Sequence, residues 1–309
     1  MQLSVVTSMY DSAPYLEEFY GRICETADKI ASSYEIIFIN DGSPDNSLDI
    51  ALLLHEKNSR VRVIDLSRNF GQHKAMMVGL EHAKGELIFQ IDCDLEEKPE
   101  LLEDFYLELK NSSADVVYGV RDTRKGRLFD RITGKLFYKL FNLFSYYSVP
   151  PEPLNARLMS RRYVDGLIQH KEREIFMAGL WAITGFKQVA LTVEKGFKGK
   201  SAYTVGRKIG MFVNAVTSFS NKPLVYIFYL GCTISFFSGV AALYLIVRRL
   251  FFGVLLAGWP SLIVSMWLLG GLTLFCLGII GIYLSKIFSE TKQRPHTIIK
   301  EIYDRSTKS

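Results

Sequence analysis

Residues 224–247 and 261–285 contain no charged side chain at all, and as helices each is long enough to cross the roughly 30 Å hydrocarbon core of a bilayer. A pair of buried helices in a soluble core is the alternative, and the length of both runs together with their lack of charge disfavours it. The 49% hydrophobic content of the 309 residues is therefore concentrated in one place. Arg207, Lys208 and Lys222 precede the first run, and Lys286, Lys292, Arg294 and Lys300 follow the second. The connection carries only Arg248 and Arg249. Counting basic residues puts both termini in the cytoplasm and the connection on the far side of the inner (plasma) membrane. The expected division is a cytoplasmic domain over 1–220, two spans within 221–289 and a basic tail over 290–309.

The first hundred residues alternate short apolar runs with helical patterns. Strands are expected over 3–7, 35–40, 61–66 and 86–91, with helices over 14–31, 45–57 and 72–83 between them. This alternation specifies an α/β fold built on a parallel sheet with helices on both faces, which receives ligands at the carboxyl ends of its strands. Those ends are polar: Tyr10-Asp11-Ser12, Asn40-Asp41-Gly42-Ser43, Ser67-Arg68-Asn69-Phe70-Gly71 and Asp92-Cys93-Asp94. In an extended chain, residues two apart share a side, so Asp92 and Asp94 would aim at one spot. Paired carboxylates suit a hard cation such as Mg²⁺ or Mn²⁺ shared with substrate phosphates. The structural alternatives are a polar turn leading into the next helix, with Asp94 or Glu96 near its N-terminus and Pro99 in its first turn, and, at Asp41-Gly42-Ser43, a plain turn with Asp45 capping the helix over 45–57. No dinucleotide fingerprint or P-loop lysine is present.

Other features narrow the class. The N-terminus has no charged segment ahead of a long apolar run, so it reads as a strand rather than a secretory signal. The four cysteines, Cys24, Cys93, Cys232 and Cys276, have no spacing that suggests zinc or a disulfide framework. A net charge of +5 suits a surface near anionic lipids, and the basic residues are not patterned for nucleic acid. Residues 125–147 place Leu128, Phe129, Ile132, Leu136, Phe137, Leu140 and Phe144 at helical spacing among Arg127, Arg131, Lys135 and Lys139. This reads as an interfacial amphipathic helix or a core-facing one, and 205–219 is a second candidate.

The segments SVVTSMY, EIIFINDGSPD, SRNFGQHKA, IDCDLEEKPE, VVYGVRDTRKGR, NARLMSRR, SAY and TSFSNKPL occur in this order before the apolar pair, and ETKQRPHTIIKEIY follows it. Together they resemble the family 2 glycosyltransferases that load polyprenyl phosphate with a sugar, such as bacterial bactoprenol glucosyltransferases and dolichol-phosphate mannose synthases. The resemblance covers nearly the whole chain. It implies a GT-A fold, a Rossmann-like nucleotide-sugar-binding domain, and possible homo-oligomers. By position, Tyr10 and Asp41 would contact the nucleotide, Asp92 and Cys93 would lie near the ribose and diphosphate, and Asp94, with Asp92, would hold the metal. Ser8 and Ser12 stand where a proline and a glutamate are usual, Glu96 where a glutamine is usual, and Asn155-Ala156-Arg157-Leu158 where Asp-Phe-Arg-Leu is usual.

The activity so implied is inverting transfer of a sugar from a nucleotide-sugar donor to undecaprenyl phosphate at the cytoplasmic face, for cell-surface polysaccharide or O-antigen modification. A phosphate monoester has a second pKa of about 6, so this acceptor is already an anionic nucleophile and needs no base. Arg121, Arg124 and Arg131 are the candidates to hold it, since a guanidinium binds phosphate bidentately. Asn155 is then a positioning difference rather than a lost base. Two alternatives stay open: transfer to a hydroxyl of a lipid-linked saccharide, with Glu172 or Glu174 as base, and a non-catalytic membrane adaptor. A processive synthase is disfavoured, because its Q-x-x-R-W acceptor motif is missing. Neither the sugar nor the nucleotide can be read from these motifs.

Overall fold

Strands buried on both faces are mostly apolar, and the first three strands are rich in Val, Ile and Leu, with Ser4, Thr7, Glu35, Asn40, Arg62 and Asp65 as buried polar interruptions. β1 (Leu3–Met9), β2 (Tyr34–Asn40) and β3 (Val61–Leu66) lie inside the protein along nearly their whole length. This is a computed structural model, and it describes residues 1–121, 153–173, 175–193, 220–252 and 258–305, with 139, 142–144, 210, 213–214 and 216–218. The helices α1 (Ala13–Ile30), α2 (Ser47–Lys57) and α3 (Gln72–His82) connect these strands and lead to β4 (Leu87–Gln90). Then follow α4 (Leu101–Ser112), β5 (Val116–Arg121), β6 (Pro153–Ser160), α5 (Arg161–Leu167), α6 (Met177–Ile183) and β7 (Gln188–Val193). The chain closes with α7 (Lys222–Phe252), α8 (Trp259–Thr291) and β8 (Ile299–Tyr303).

Among the described residues the strands form one sheet in the order β7-β5-β6-β4-β1-β2-β3-β8. The expected strands and helices of the first hundred residues are present, but the sheet is mixed rather than parallel. β1 to β4 run parallel, as the intervening helices require, whereas β6 is antiparallel to both β4 and β5, and β8 is antiparallel to β3. β8 follows the two long apolar helices, and most residues between β5 and β6 lie outside the described ones.

Period-two alternation sorts the central side chains onto two faces. Val5, Ile36, Phe38, Val63 and Phe89 pack with Leu16, Phe19 and Ile23 of α1, Ala51 of α2 and Phe105 of α4 in one buried cluster. On the other face α3 lies so close that a Cβ on Gly79 would run into the Val6 and Ile39 side chains. That approach leaves α3 no choice of register.

The chain divides into two units. One comprises residues 1–140, 147–204 and 294–309, and so includes all but the first four residues of the segment read as a tail. The other comprises 141–146 and 205–293. In it, α7 and α8 each carry a 27-residue stretch, Lys222–Arg248 and Ser265–Thr291, apolar enough to cross a membrane. At 1.5 Å per residue each stretch is about 40 Å long, which exceeds the hydrocarbon core. Lys286 donates to the Asn214 carbonyl and the Ser218 hydroxyl, and the Tyr283 hydroxyl donates to the Ser220 carbonyl at 2.6 Å. Those bonds fix the chain ahead of α7 against α8. Most of the amphipathic stretch 125–147 and part of 205–219 lie outside the described residues; the pieces described, at 139, 142–144, 210, 213–214 and 216–218, are helical.

Candidate active site

Four parallel strands deliver four loops to one edge of the sheet, and the loops are tied to one another by hydrogen bonds. After β1, Ser12 accepts from the Tyr10 amide and donates to the Tyr10 carbonyl, both at 3.1 Å. Its own amide donates to Ser47 Oγ at 3.0 Å. The tight turn places Asp11 at a left-handed φ of 53° and leaves the Tyr10 side chain half exposed. Asp45 accepts from Ser47 N at the start of α2 and from Ala13 N at the start of α1, so it caps two helices rather than one.

Asp41, at the end of β2, is buried. Its two carboxylate oxygens accept from the backbone amides of Phe70 and Gly71 at 2.7 and 2.9 Å. Burial pushes this carboxyl above its ordinary range, and the two amides pull it back. Next to it Gly42 has φ 63°, and a Cβ there would lie 2.6 Å from the Asn69 nitrogen. Only glycine lets the loops after β2 and β3 touch. Asn69, Gly71 and Gln72 thereby reach the site; their loop was recognisable as a polar strand end, but nothing in its local pattern singled out these three residues.

β4 ends at Gln90, and the following segment is a turn. The Asp-Cys-Asp segment is therefore not extended as expected, because Asp94 Oδ1 accepts from the Glu96 amide at 3.0 Å and Leu95 adopts φ 61°. Both aspartates nevertheless border one cavity of about 310 Å³, lined by Ser8, Met9, Tyr10, Ser12, Asp41, Asn69, Gly71, Gln72, Asp92, Cys93 and Asp94. Five residues singled out from the sequence, Tyr10, Asp41, Asp92, Cys93 and Asp94, are brought together there. Burial pushes the Cys93 thiol up to about 11, and it donates to the Ser8 carbonyl at 3.3 Å. Cys93 is buried and contributes to the cavity wall.

The reversed strand β6 completes the rim. Its N-terminal end lies beside the C-terminal end of β4, with Arg157 opposite Gln90, so Asn155 falls just beyond, at the aspartates. Asn155 Nδ2 donates to Asp92 Oδ2 and Gln72 Nε2 donates to Asp92 Oδ1, each at 2.7 Å. Two neutral amides thus orient the carboxylate. Glu97, buried and missed at the sequence level, accepts from the amides of Asn155 and Ala156 at 3.2 and 2.6 Å and pins β6 in place. Arg157 behind it is fully buried against Trp181, and burial lowers its guanidinium to about 9. Arg121 ends β5, which is parallel to β4, and so stands at the same edge of the sheet. Arg124, Arg131 and Glu174 lie outside the described residues, and Glu172 is not among the cavity-lining residues.

No group of three or more His, Cys, Asp or Glu side chains forms a metal cage among the described residues. Two carboxylates on one cavity suit Mg²⁺ or Mn²⁺ all the same, since these ions take one or two carboxylates and draw their other ligands from phosphates and water. The donor set fits such a cation.

The family model for glycosyl transferase family 2 matches residues 4–167, which run from β1 to α5. The chain belongs to that family and is a glycosyltransferase. A Mycobacterium tuberculosis (strain CDC 1551 / Oshkosh) protein, named only as a glycosyltransferase, is 54% identical over 98% of this chain and 89% of that one. The prophage bactoprenol glucosyl transferase homolog of Escherichia coli (strain K12) is 32% identical over 98% of this chain and 99% of its own length. The bactoprenol glucosyl transferase of Shigella phage SfV is also 32% identical, over 97% and 98%.

Proposed function

We propose that the chain transfers a sugar from a nucleotide-sugar donor to polyprenyl phosphate at the cytoplasmic face of the membrane, where α7 and α8 form a two-span hairpin. The observation that carries this reading is similarity over 97–98% of the chain, apolar helices included, to proteins named bactoprenol glucosyl transferases. The donor enters the cavity at the carboxyl edge of the sheet, with Tyr10 offering its exposed ring to the base. Asp94 and Asp92 hold a divalent cation, which when bound neutralises charge on the leaving nucleoside diphosphate. The acceptor phosphate oxygen forms a bond to the anomeric carbon as the bond from that carbon to the diphosphate breaks, and inversion follows from attack on the opposite face. The nucleophile is ionised before it arrives, so no residue has to take a proton. Asn155 supports this account, because its amide is engaged in orienting Asp92 and cannot act as a base. Arg121, with Arg124 and Arg131, is assigned to the acceptor phosphate. The product would serve cell-surface polysaccharide modification.

The test incubates membranes containing the protein with a panel of nucleotide sugars and undecaprenyl phosphate, with Mn²⁺ or with EDTA, and analyses lipids by mass spectrometry. A metal-dependent glycosyl phosphoryl lipid is expected. Sugar appearing only on an added lipid-linked saccharide would move the reading to a hydroxyl acceptor, and no transfer with any donor would move it to an adaptor.

A further inference from the structure

The chain leaves the sheet unit, builds the apolar helices and then returns to the sheet to form an edge strand, and we infer that this returning strand positions the loop that lines the donor cavity. The inference rests on the reading of that cavity as a nucleotide-sugar site. β8 pairs with β3 as Val63 with Tyr303, Ile64 with Ile302 and Asp65 with Glu301, then shifts register to bring Leu66 opposite Ile299. The pairing continues past the end of β3. The amide of Ser67, the first residue of the 67–71 loop, donates to the Ile298 carbonyl at 2.9 Å. At its other end the same loop hangs by the Phe70 and Gly71 amides from Asp41. Asn69 lines the cavity between these anchors and Gly71 lines it at the second of them, and Gln72 holds Asp92 immediately beyond. One of the two anchors of the donor loop is therefore supplied by a segment more than 200 residues downstream in sequence.

A side-chain path runs in parallel. Lys300 Nζ lies 3.1 Å from Asp65 Oδ2, and the buried Asp65 accepts on its other oxygen from Asn40 Nδ2 at 2.7 Å. Asn40 in turn accepts from the Ser43 amide at 3.1 Å, which fixes the turn carrying Asp41 and Gly42. The strand is itself held firmly. Asp304 pairs with Arg62 at 2.9 Å, both side chains under a tenth exposed, and Arg62 pairs with Glu35 at 2.7 Å. A desolvated pair is costly to break once made, because the remaining charge is stranded away from water. Arg305 adds a bond to the Glu56 carbonyl at 2.7 Å. The path from Lys300 runs through Asp65 and Asn40 to the turn carrying Asp41, while Asp304 holds the strand itself through Arg62; neither Lys300 nor Asp304 lines the cavity, which makes both of them positioning residues.

If docking of β8 favours donor binding, donor binding favours docking of β8 by the same factor. The experiment uses the full chain in detergent or nanodiscs and compares Lys300→Ala and Asp304→Ala with Glu301→Gln, an exposed residue of the same strand. Binding of UDP-glucose and GDP-mannose with Mn²⁺ is measured by calorimetry, hydrogen exchange of the 299–303 amides is followed with and without the bound sugar nucleotide, and KM is determined for undecaprenyl phosphate. We expect Kd for the donor to rise about 5-fold or more in both alanine variants and to stay level in Glu301→Gln. Exchange over 299–303 in the wild type should slow when the donor binds, with KM for the lipid unchanged. Lys300 is largely exposed, so its truncation keeps the test valid if Asp304→Ala fails to fold. Donor binding by the wild type with an unaltered Kd in Lys300→Ala, or with 299–303 exchange indifferent to donor, overturns this inference alone. Absence of binding by the wild type to these two and to every other nucleotide sugar of the panel used in the transfer assay overturns the cavity assignment and the inference with it.

Discussion

Asn155→Asp replaces the amide that donates to Asp92 with a second carboxylate, at a heavy-atom separation of 2.7 Å. Losing a hydrogen bond to a charged acceptor costs about 1.5–3 kcal/mol. Two like charges at that distance repel by about 6 kcal/mol at an effective dielectric constant of 20, and by about 1.5 kcal/mol in bulk water. Both groups are half-buried and border a cavity, so rotation and solvent relieve most of the repulsion; a net loss of about 2–3 kcal/mol is expected in the metal-free protein. For a unit of this size that corresponds to about 4–10 °C in Tm. The assay is thermal unfolding in detergent followed by near-ultraviolet circular dichroism, in EDTA and again in Mn²⁺. In EDTA the variant should melt lower, and in Mn²⁺ the gap should close, because a dication beside the added carboxylate binds the folded protein more tightly than before. An unchanged or higher Tm in EDTA would refute the Asn155–Asp92 bond as a stabilising contact. On the kinetic side no rate gain is expected, since an ionised phosphate offers no proton to the new carboxylate; a rise approaching the roughly 10²–10⁴-fold of a placed general base would refute the phosphate acceptor.

Asp94→Asn keeps an oxygen for the Glu96 amide and so should fold normally, while Mn²⁺-dependent donor binding disappears and transfer falls by about 100-fold or more; calorimetry and lipid radiolabelling check the two halves. Gly42→Ala forces a Cβ to within 2.6 Å of the Asn69 nitrogen at φ 63°, and a loss of about 2 kcal/mol or more is expected in denaturant unfolding, with weakened donor binding. The Asp115 carboxyl is held below its ordinary range chiefly by the Arg162 guanidinium. Its contribution to stability is therefore complete above the unfolded value near about 4 and is lost as pH falls through the lower folded value, so Asp115→Asn should flatten the fall of Tm in that acid window. A chain cut after Ser220 loses β8 and the Asp304 partner of Arg62. Rejoining residues 294–309 through a flexible linker, without the apolar helices, should raise its Tm above that of the bare truncation.

The periodic features of the amino-acid sequence were sufficient for the central strands, the helices between them and the two long apolar helices. Each of these follows from residues close together in the chain: runs that bury both faces of a strand, helical spacing, and stretches with no charge. The aspartate pair was legible for the same reason, since a polar strand end in an α/β sheet opens on the ligand edge whatever lies around it. What the local pattern did not contain was partnership between distant segments. Asn155 reads alone as a departure from a motif; the antiparallel run of β6 makes it the amide that orients Asp92, across 63 residues. Asp41 reads as a nucleotide contact, and it lines the cavity, yet both its oxygens also suspend the 67–71 loop. Residues 290–309 read as a basic tail because a five-residue edge strand has too short a period to stand out, and only pairing with β3 and the Arg62–Asp304 bond give it a place. Strand direction and hydrogen-bond partnership depend on the path of the chain between elements, and that path is set by the packing of the whole sheet unit rather than by any window of residues.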